Sequence, residues 1–354
     1  MFKYQRATAA ALAVSAIGLF MTVGAGAGAS VAPRAAVHGH SSGLAASPRA
    51  AKKVTIGFIS DNIASSGILL YKTAFMAQAK KYGWTVKAVD TNGNVVNAVT
   101  QAEQWVSQGV TAIVDDTVDN ASMTAAITAA SAAKIPWFSV SSGWVTGVTN
   151  EVETNEVANG ANLAQSLAEA MGGKGNILQL DWAALPAVAQ QDSGVAAVFS
   201  ALYPNIHILQ TIQLKVPGWA QDAYTQVTNY LQSNTNVQAI IIPWDDFAAN
   251  VVSAVDQAGL GKKIIIAGFD MDPGTTALLR GNTPFKMTEA LNIPAFAVKT
   301  ALNIKAYLAH QGVPPVSSVP TCLATHANAP KTGGLSNKAF WKSCYSQPAV
   351  LFEG

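Results

Sequence analysis

The chain has 354 residues, half of them hydrophobic, with 22 Lys and Arg against 20 Asp and Glu for a formal net charge of +2. Residues 1–49 hold Lys3, Arg6, Arg34 and Arg49 and no acid, which leaves 18 basic and 20 acidic residues, a net of −2, with Arg280 as the one arginine. A nucleic-acid binder needs a basic face and an anion site usually needs the arginine fork, so the first class is excluded and the second disfavoured.

Lys3 and Arg6 precede an apolar stretch from Ala9 to Val23 that ends in small residues suited to signal peptidase. Residues 1–29 are expected to be a secretory signal peptide. The apolar run is shorter than the roughly 18 residues that a membrane-spanning helix needs. Residues 30–52, rich in Ala, Ser, Gly and Pro with His38 and His40, read as a disordered leader. No cysteine of a lipobox lies near the cleavage site. The expected location is therefore the periplasm or the outer face of the cytoplasmic membrane.

From Val54 onward, short β-rich apolar runs alternate with amphipathic stretches. VTIGFIS (54–60) leads to a helix ending near Tyr82, WTVKAV (84–89) to the helical NVVNAVTQAEQWVSQG, and TAIVD (111–115) to SMTAAITAASAAK; IPWFSV (135–140) closes the series. A second series follows. The helix NEVANGANLAQSLAEAMGG precedes GNILQLD (175–181), and a helix to Tyr203 precedes IHILQTIQL. AQDAYTQVTNYLQSN, VQAIIIPW (237–244), DFAANVVSAVDQAG and KKIIIAGFD (262–270) complete it. Fully apolar strands separated by helices predict parallel sheets covered on both faces. Right-handed crossovers make each a doubly wound layer, and two series in this length predict two lobes. FKMTEALN (285–292) and the helix PAFAVKTALNIKAYLAH read as a crossing back to the first lobe, and the chain after Gly312 reads as an irregular tail. That tail holds Cys322 and Cys344, the only two cysteines, expected to form a disulfide in an oxidising compartment.

Ligands of open α/β sheets lie beyond the C-terminal ends of the strands. There the sequence places Ser60, Asp61 and Ser65; then Ser141, Ser142 and Trp144; then Trp182, Trp219, Trp244 with Asp245, and Asp270. Indole faces can stack on the C–H face of a sugar ring while carboxylates accept from its hydroxyls; the same set could cage an organic cation. Each residue also has a structural alternative, the tryptophans as packing and Asp245–Asp246 as a helix N-cap. The histidines are isolated, and neither HExxH nor GxSxG occurs, so no metal, cofactor or enzymatic activity is expected.

The order of the pieces VTIGFIS, AVTQAEQWVSQGVTAIV, AAKIPWFSV, YLQSNTNVQAIIIPWDD, IIIAGFDMDPGTTALLRG and ALNIPAFAVKTAL resembles the type I periplasmic binding proteins, especially the ribose-type sugar-binding proteins of ABC importers, over about 53–313. The resemblance implies two doubly wound parallel-sheet lobes joined by a three-segment hinge. It places the N-terminal lobe in 53–153 with 293–315, the C-terminal lobe in 154–292 and a tail in 316–354. It also implies site positions. Ser60, Trp219, Asp245 and Asp270 match the family pattern, whereas Ser141 and Ser142 stand in place of an Asp-Arg pair, Gln191 of an arginine, Trp244 of an asparagine and Asn292 of a glutamine. With the arginines gone, the implied function is a monomeric receptor delivering a small neutral sugar or polyol to a membrane ABC permease. The alternatives are an organic amine as ligand, or a signalling role through a sensor protein.

Overall fold

In a computed structural model, residues 53–344 are described. The expected signal peptide and leader, and the last ten residues of the tail, lie outside them. The first sheet takes β1 (Thr55–Ser60), β2 (Thr85–Asp90), β3 (Ala112–Asp116), β4 (Trp137–Val140) and β5 (Asn150–Glu153), alternating with α1 (Ser66–Lys81), α2 (Val95–Ser107) and α3 (Thr124–Ala132). The second takes β6 (Lys174–Asp181), β7 (Asn205–Gln213), β8 (Ala239–Ile241), β9 (Ile265–Asp270) and β10 (Phe285–Leu291), with α4 (Glu156–Ala170), α5 (Pro186–Leu202), α6 (Trp219–Ser233), α7 (Ala248–Gln257) and α8 (Thr275–Arg280). The chain continues through α9 (Ile293–Leu308), β11 (Val316–Ser318), β12 (Thr321–Thr325) and α10 (Lys338–Cys344).

Strand order is β11-β5-β4-β3-β1-β2 in one sheet and β12-β10-β9-β8-β6-β7 in the other. Every pairing is parallel except that of β10 with β12. β1 and β3 are buried along nearly their whole length, which is why they read as continuous apolar runs rather than alternating ones. In each sheet the order reverses beside the first strand, between β1 and β3 and between β6 and β8, so each lobe has its own switch point facing the other. Three segments cross between the sheets: the β5–α4 joint, the β10–α9 joint at Asn292 and the two residues between β11 and β12.

The region after Gly312 corrects the expected irregular tail. Val316–Ser318 pairs with β5 and Thr321–Thr325 with β10, so this stretch is the third hinge crossing and forms an edge of both sheets. Beyond it the chain folds back, buries Leu335, Phe340 and Trp341, and is held by Arg280 Nη1 donating to Ala329 O at 3.2 Å. Cys322 on β12 is bonded to Cys344 at the end of α10, with Cα atoms 5.8 Å apart and a sequence separation of 22. Closing such a loop stabilises by about 3 kcal/mol in the chain-entropy model. Cys322→Ser is expected to lower the melting temperature while leaving ligand affinity within about twofold, because neither cysteine lines the interlobe cleft. Calorimetry paired with titration checks this; lost affinity at unchanged stability would place the tail in the site.

Candidate ligand-binding cleft

The cleft between the lobes is walled by strand exits from both sheets and by the start of α9. From the first lobe come Asp61, Asn62 and Ser65, Ile68 and Tyr71 of α1, Asp116 and Thr117, and Val140 with Ser141. From the second come Glu156, Trp182, Leu185, Val188, Gln191, Val216, Trp219, Pro243, Trp244 and Asp270, with Ile293 and Phe296 of α9 at the crossing. Backbone strain marks the same places. Thr117, Ser141 and Asp270 have φ of 74°, 52° and 92°, a region that non-glycine residues occupy at a cost of order 1–3 kcal/mol and mostly at functional sites.

Eight of the residues expected from the sequence meet here: Asp61, Ser65, Ser141, Trp182, Gln191, Trp219, Trp244 and Asp270. The three tryptophans form one wall. Trp244 is edge-on to Trp182 and to Trp219, each at 6.0 Å between centroids, and is backed by Phe247 at 5.5 Å. Trp219 is locked in orientation by its Nε1, which donates to Asp246 Oδ1 at 3.0 Å. With exposures of 7 % and 9 %, Trp219 and Trp244 both pack the lobe and present an edge or face to the cleft.

Five expected residues lie elsewhere, each for a local reason. Ser60 is buried under the floor, its Oγ donating to Asp116 Oδ2 at 3.5 Å. Ser142 turns inward, its Oγ donating to Val140 O and its amide to Glu151 Oε1 at 2.8 Å. Trp144 is 46 % exposed on the loop before β5, outside the cleft lining. Asp245 is buried and accepts from the amides of Met271 and Asp272 at 3.1 and 2.8 Å, bracing the loop after β9. Asn292 caps α9 by accepting from Ala295 N at 3.2 Å. The alternative of Asp245 or Asp246 as N-cap of α7 is not realised either, since Phe247 occupies that position without a side-chain bond.

Sequence reading missed Thr117, Glu156 and Tyr71 as lining residues. Asp116 and Asn62 stand at strand exits and follow from the same rule that found Asp61. Glu156 carries no such signal, being a first-turn acid of α4 that reads as solvated until the crossing segment turns it inward.

The electrostatics of the cleft are one-sided. Among the described residues no Lys, Arg or His lines it. Burial and the nearby Asp90 charge push Asp61 up to about 6, and burial followed by Asp61 pushes Asp116 well above the carboxylate range, with Lys72 opposing weakly. Glu156 is raised to about 7 by burial, held back by hydrogen bonds from Gln191 and Asn159. Asp270 is pushed up by burial and then by the charges of Asp272, Asp245 and Glu156. Such a site offers acceptors to hydroxyls and rings to an apolar face, and repels anions.

Residues 56–306 match the model of the periplasmic binding protein domain family. Among individual relatives, the chain is 23% identical over 234 residues to the ribose import binding protein RbsB of Bacillus subtilis, covering 65% of this chain and 73% of that one. It is 26% identical over 195 residues to a xylitol-binding protein of Mycolicibacterium smegmatis, covering 54% and 55%. In structure it superposes on an ABC transporter solute binding protein from Agrobacterium vitis with a TM-score of 0.74 at 23% identity, covering 78% of this chain and 97% of that one. A family match over more than half of the chain, together with two doubly wound lobes around a shared cleft, makes this protein a member of the periplasmic binding protein domain family.

Proposed function

We propose that the protein is an extracytoplasmic solute receptor that captures a small compound built on a sugar or polyol frame, without negative charge, and presents it as a monomer to a membrane ABC permease. The observation that carries this reading is the make-up of the cleft: a wall of three tryptophans together with carboxyl, amide and hydroxyl groups from both lobes, and among the described residues no basic side chain in the lining. Indoles cover the C–H face of a ring, and carboxylates accept from its hydroxyls. Relatives point the same way: one is named for ribose import, one for xylitol binding, and the Agrobacterium vitis structure holds allitol. Because groups from both lobes contribute, the solute stabilises the closed form over the open one, and closure is the signal a permease can read.

Native mass spectrometry of the purified protein, followed by a thermal-shift screen of sugars, polyols, nucleosides and amines, tests the reading. A sugar or polyol frame should raise the melting temperature by several degrees. A hit confined to unrelated chemistry would overturn it. Trp219→Ala is expected to weaken the binding of that hit by at least about 1 kcal/mol, and Trp244→Ala by a similar amount, through loss of ring stacking. Unchanged titration isotherms for both variants would assign the two indoles to packing alone.

A further inference from the structure

The cleft gathers carboxyl groups in two places, and among the described residues no basic side chain lines either. Asp61 and Asp116 stand at the exits of β1 and β3, close enough that the charge of one disfavours that of the other. Glu156 and Asp270 stand on the opposite lobe, where the Glu156 charge acts on Asp270. Lys72, outside the lining, lowers Asp116 only after Thr117 and Ser60 do. Unpaired carboxylates in a closing, desolvating site are unfavourable, and they are relieved by protonation or by a cation.

A separate observation favours the cation at the Glu156 corner. Gln191 is only 3 % exposed and lines the cleft. Its Nε2 donates to Glu156 Oε2 at 2.8 Å, and the same oxygen accepts from Asn159 Nδ2 at 3.0 Å. The amide nitrogen is thus committed to the carboxylate, and Gln191 Oε1 is left buried with no hydrogen-bond partner. This corner presents acceptors, Gln191 Oε1 and the Glu156 carboxyl, and Asp270 lines the cleft from the same lobe, within reach of the Glu156 charge. A hydroxyl brings one donor and no charge. A primary ammonium brings three donors and a unit positive charge, and indoles lining the same cleft favour a cation over a neutral group.

We propose that the solute carries a primary amine alongside its hydroxyls, an amino sugar or aminopolyol whose ammonium is held by Glu156, Asp270 and Gln191 Oε1. This inference rests on the solute-receptor reading above and narrows it.

The test compares matched trios on the protein freed of any co-purified solute: glucosamine, glucose and N-acetylglucosamine; the galactose trio; and 1-amino-1-deoxysorbitol, sorbitol and the N-acetylated amine. Isothermal titration at neutral pH should give at least one amine bound about tenfold or more tighter than both its neutral and its acetylated counterpart, as a charge-assisted bond requires. Gln191→Met, which removes the unpartnered acceptor and leaves both carboxyls, should reduce that preference several-fold, and Glu156→Gln should reduce it further. Trp219→Ala should weaken amine and neutral members alike. Neutral sugars binding as tightly as their amines would overturn the amine assignment and leave the receptor reading standing. A preference undiminished in the folded variants would overturn the assignment to this corner. Silence from the whole panel would overturn both the amine and the polyol reading.

Discussion

Gly160→Ala is expected to destabilise the protein by about 3 kcal/mol, at the upper end of what overpacking usually costs. A Cβ at Gly160 would stand 1.9 Å from the carbonyl oxygen of Gln191 and 2.7 Å from its carbon. The reciprocal contact is as close, since a Cβ at Gly194 would meet Val157 O at 2.0 Å and Ala161 N at 2.8 Å. α4 and α5 therefore cross backbone to backbone, and the obstructing atoms cannot rotate aside as a side chain would. An alanine is favoured over a mid-helix glycine by about 1 kcal/mol intrinsically, so the net loss measures how far the crossing resists separation. At roughly 2–4 °C per kcal/mol for a domain of this size, the melting temperature should fall by about 6–12 °C.

The same substitution reaches the cleft. Glu156 lies one turn before Gly160 on α4, and Gln191 lies three residues before Gly194 on α5, so their 2.8 Å hydrogen bond depends on how closely the two helices sit. Parting them should lower solute affinity together with stability. Differential scanning calorimetry and titration on Gly160→Ala and Gly194→Ala check both effects. A melting temperature within about 2 °C of the parent would show that the helices re-seat without loss.

Stability should rise, not fall, as the pH is lowered from about 8 toward 6. Burial holds Glu151, Glu156 and Glu289 at about 7 and Asp272 at about 8, and pushes Asp115 and Asp245 well above their ordinary range. In the unfolded chain these groups return to about 4. Between those limits the folded protein binds more protons than the unfolded one, so stability decreases with rising pH. The contribution of each group is fully present below the unfolded value and is lost as the pH climbs through the folded one. One pKa unit corresponds to about 1.4 kcal/mol, so several buried groups together dominate the profile over this window. Melting temperatures measured at pH 5.5, 6.5, 7.5 and 8.5 without solute check the sign. A curve that climbs toward alkaline pH would mean that cations in the fold keep these carboxylates ionised.

Most of the strands were legible because they are apolar on both faces. The exceptions teach more. NEVE, the strand β5, was not among the expected strands, and Asn150 and Glu151 are fully buried in it. Asn150 is satisfied by Pro314 O, Ser317 Oγ and Asn303 Nδ2, more than 150 residues away. Ser139 Oγ donates to Glu151 Oε2, and the amides of Ser142 and Gly143 donate to its other oxygen. No local pattern announces a strand whose polar groups are paired by distant chain. β11 and β12 escaped for the same reason, being short edge strands defined only by the sheets they join.

The cleft divides along similar lines. Asp61 and Asp245 look alike in sequence, each a carboxylate just past a strand, but one opens onto the cleft and the other spends both oxygens on the amides of Met271 and Asp272. Glu156 and Gln191 become a pair only because glycines let two helices touch. By itself the sequence determined the two βα series, the polar and aromatic groups at the strand exits, the disulfide partners and the single arginine after residue 49. These follow from hydrophobic burial, cysteine count and charge, which are properties of the residues themselves. Tertiary structure alone decided which of the exit groups face the ligand, how the tail enters both sheets and where an acceptor is left without a donor, because each depends on which distant backbone reaches a polar group first.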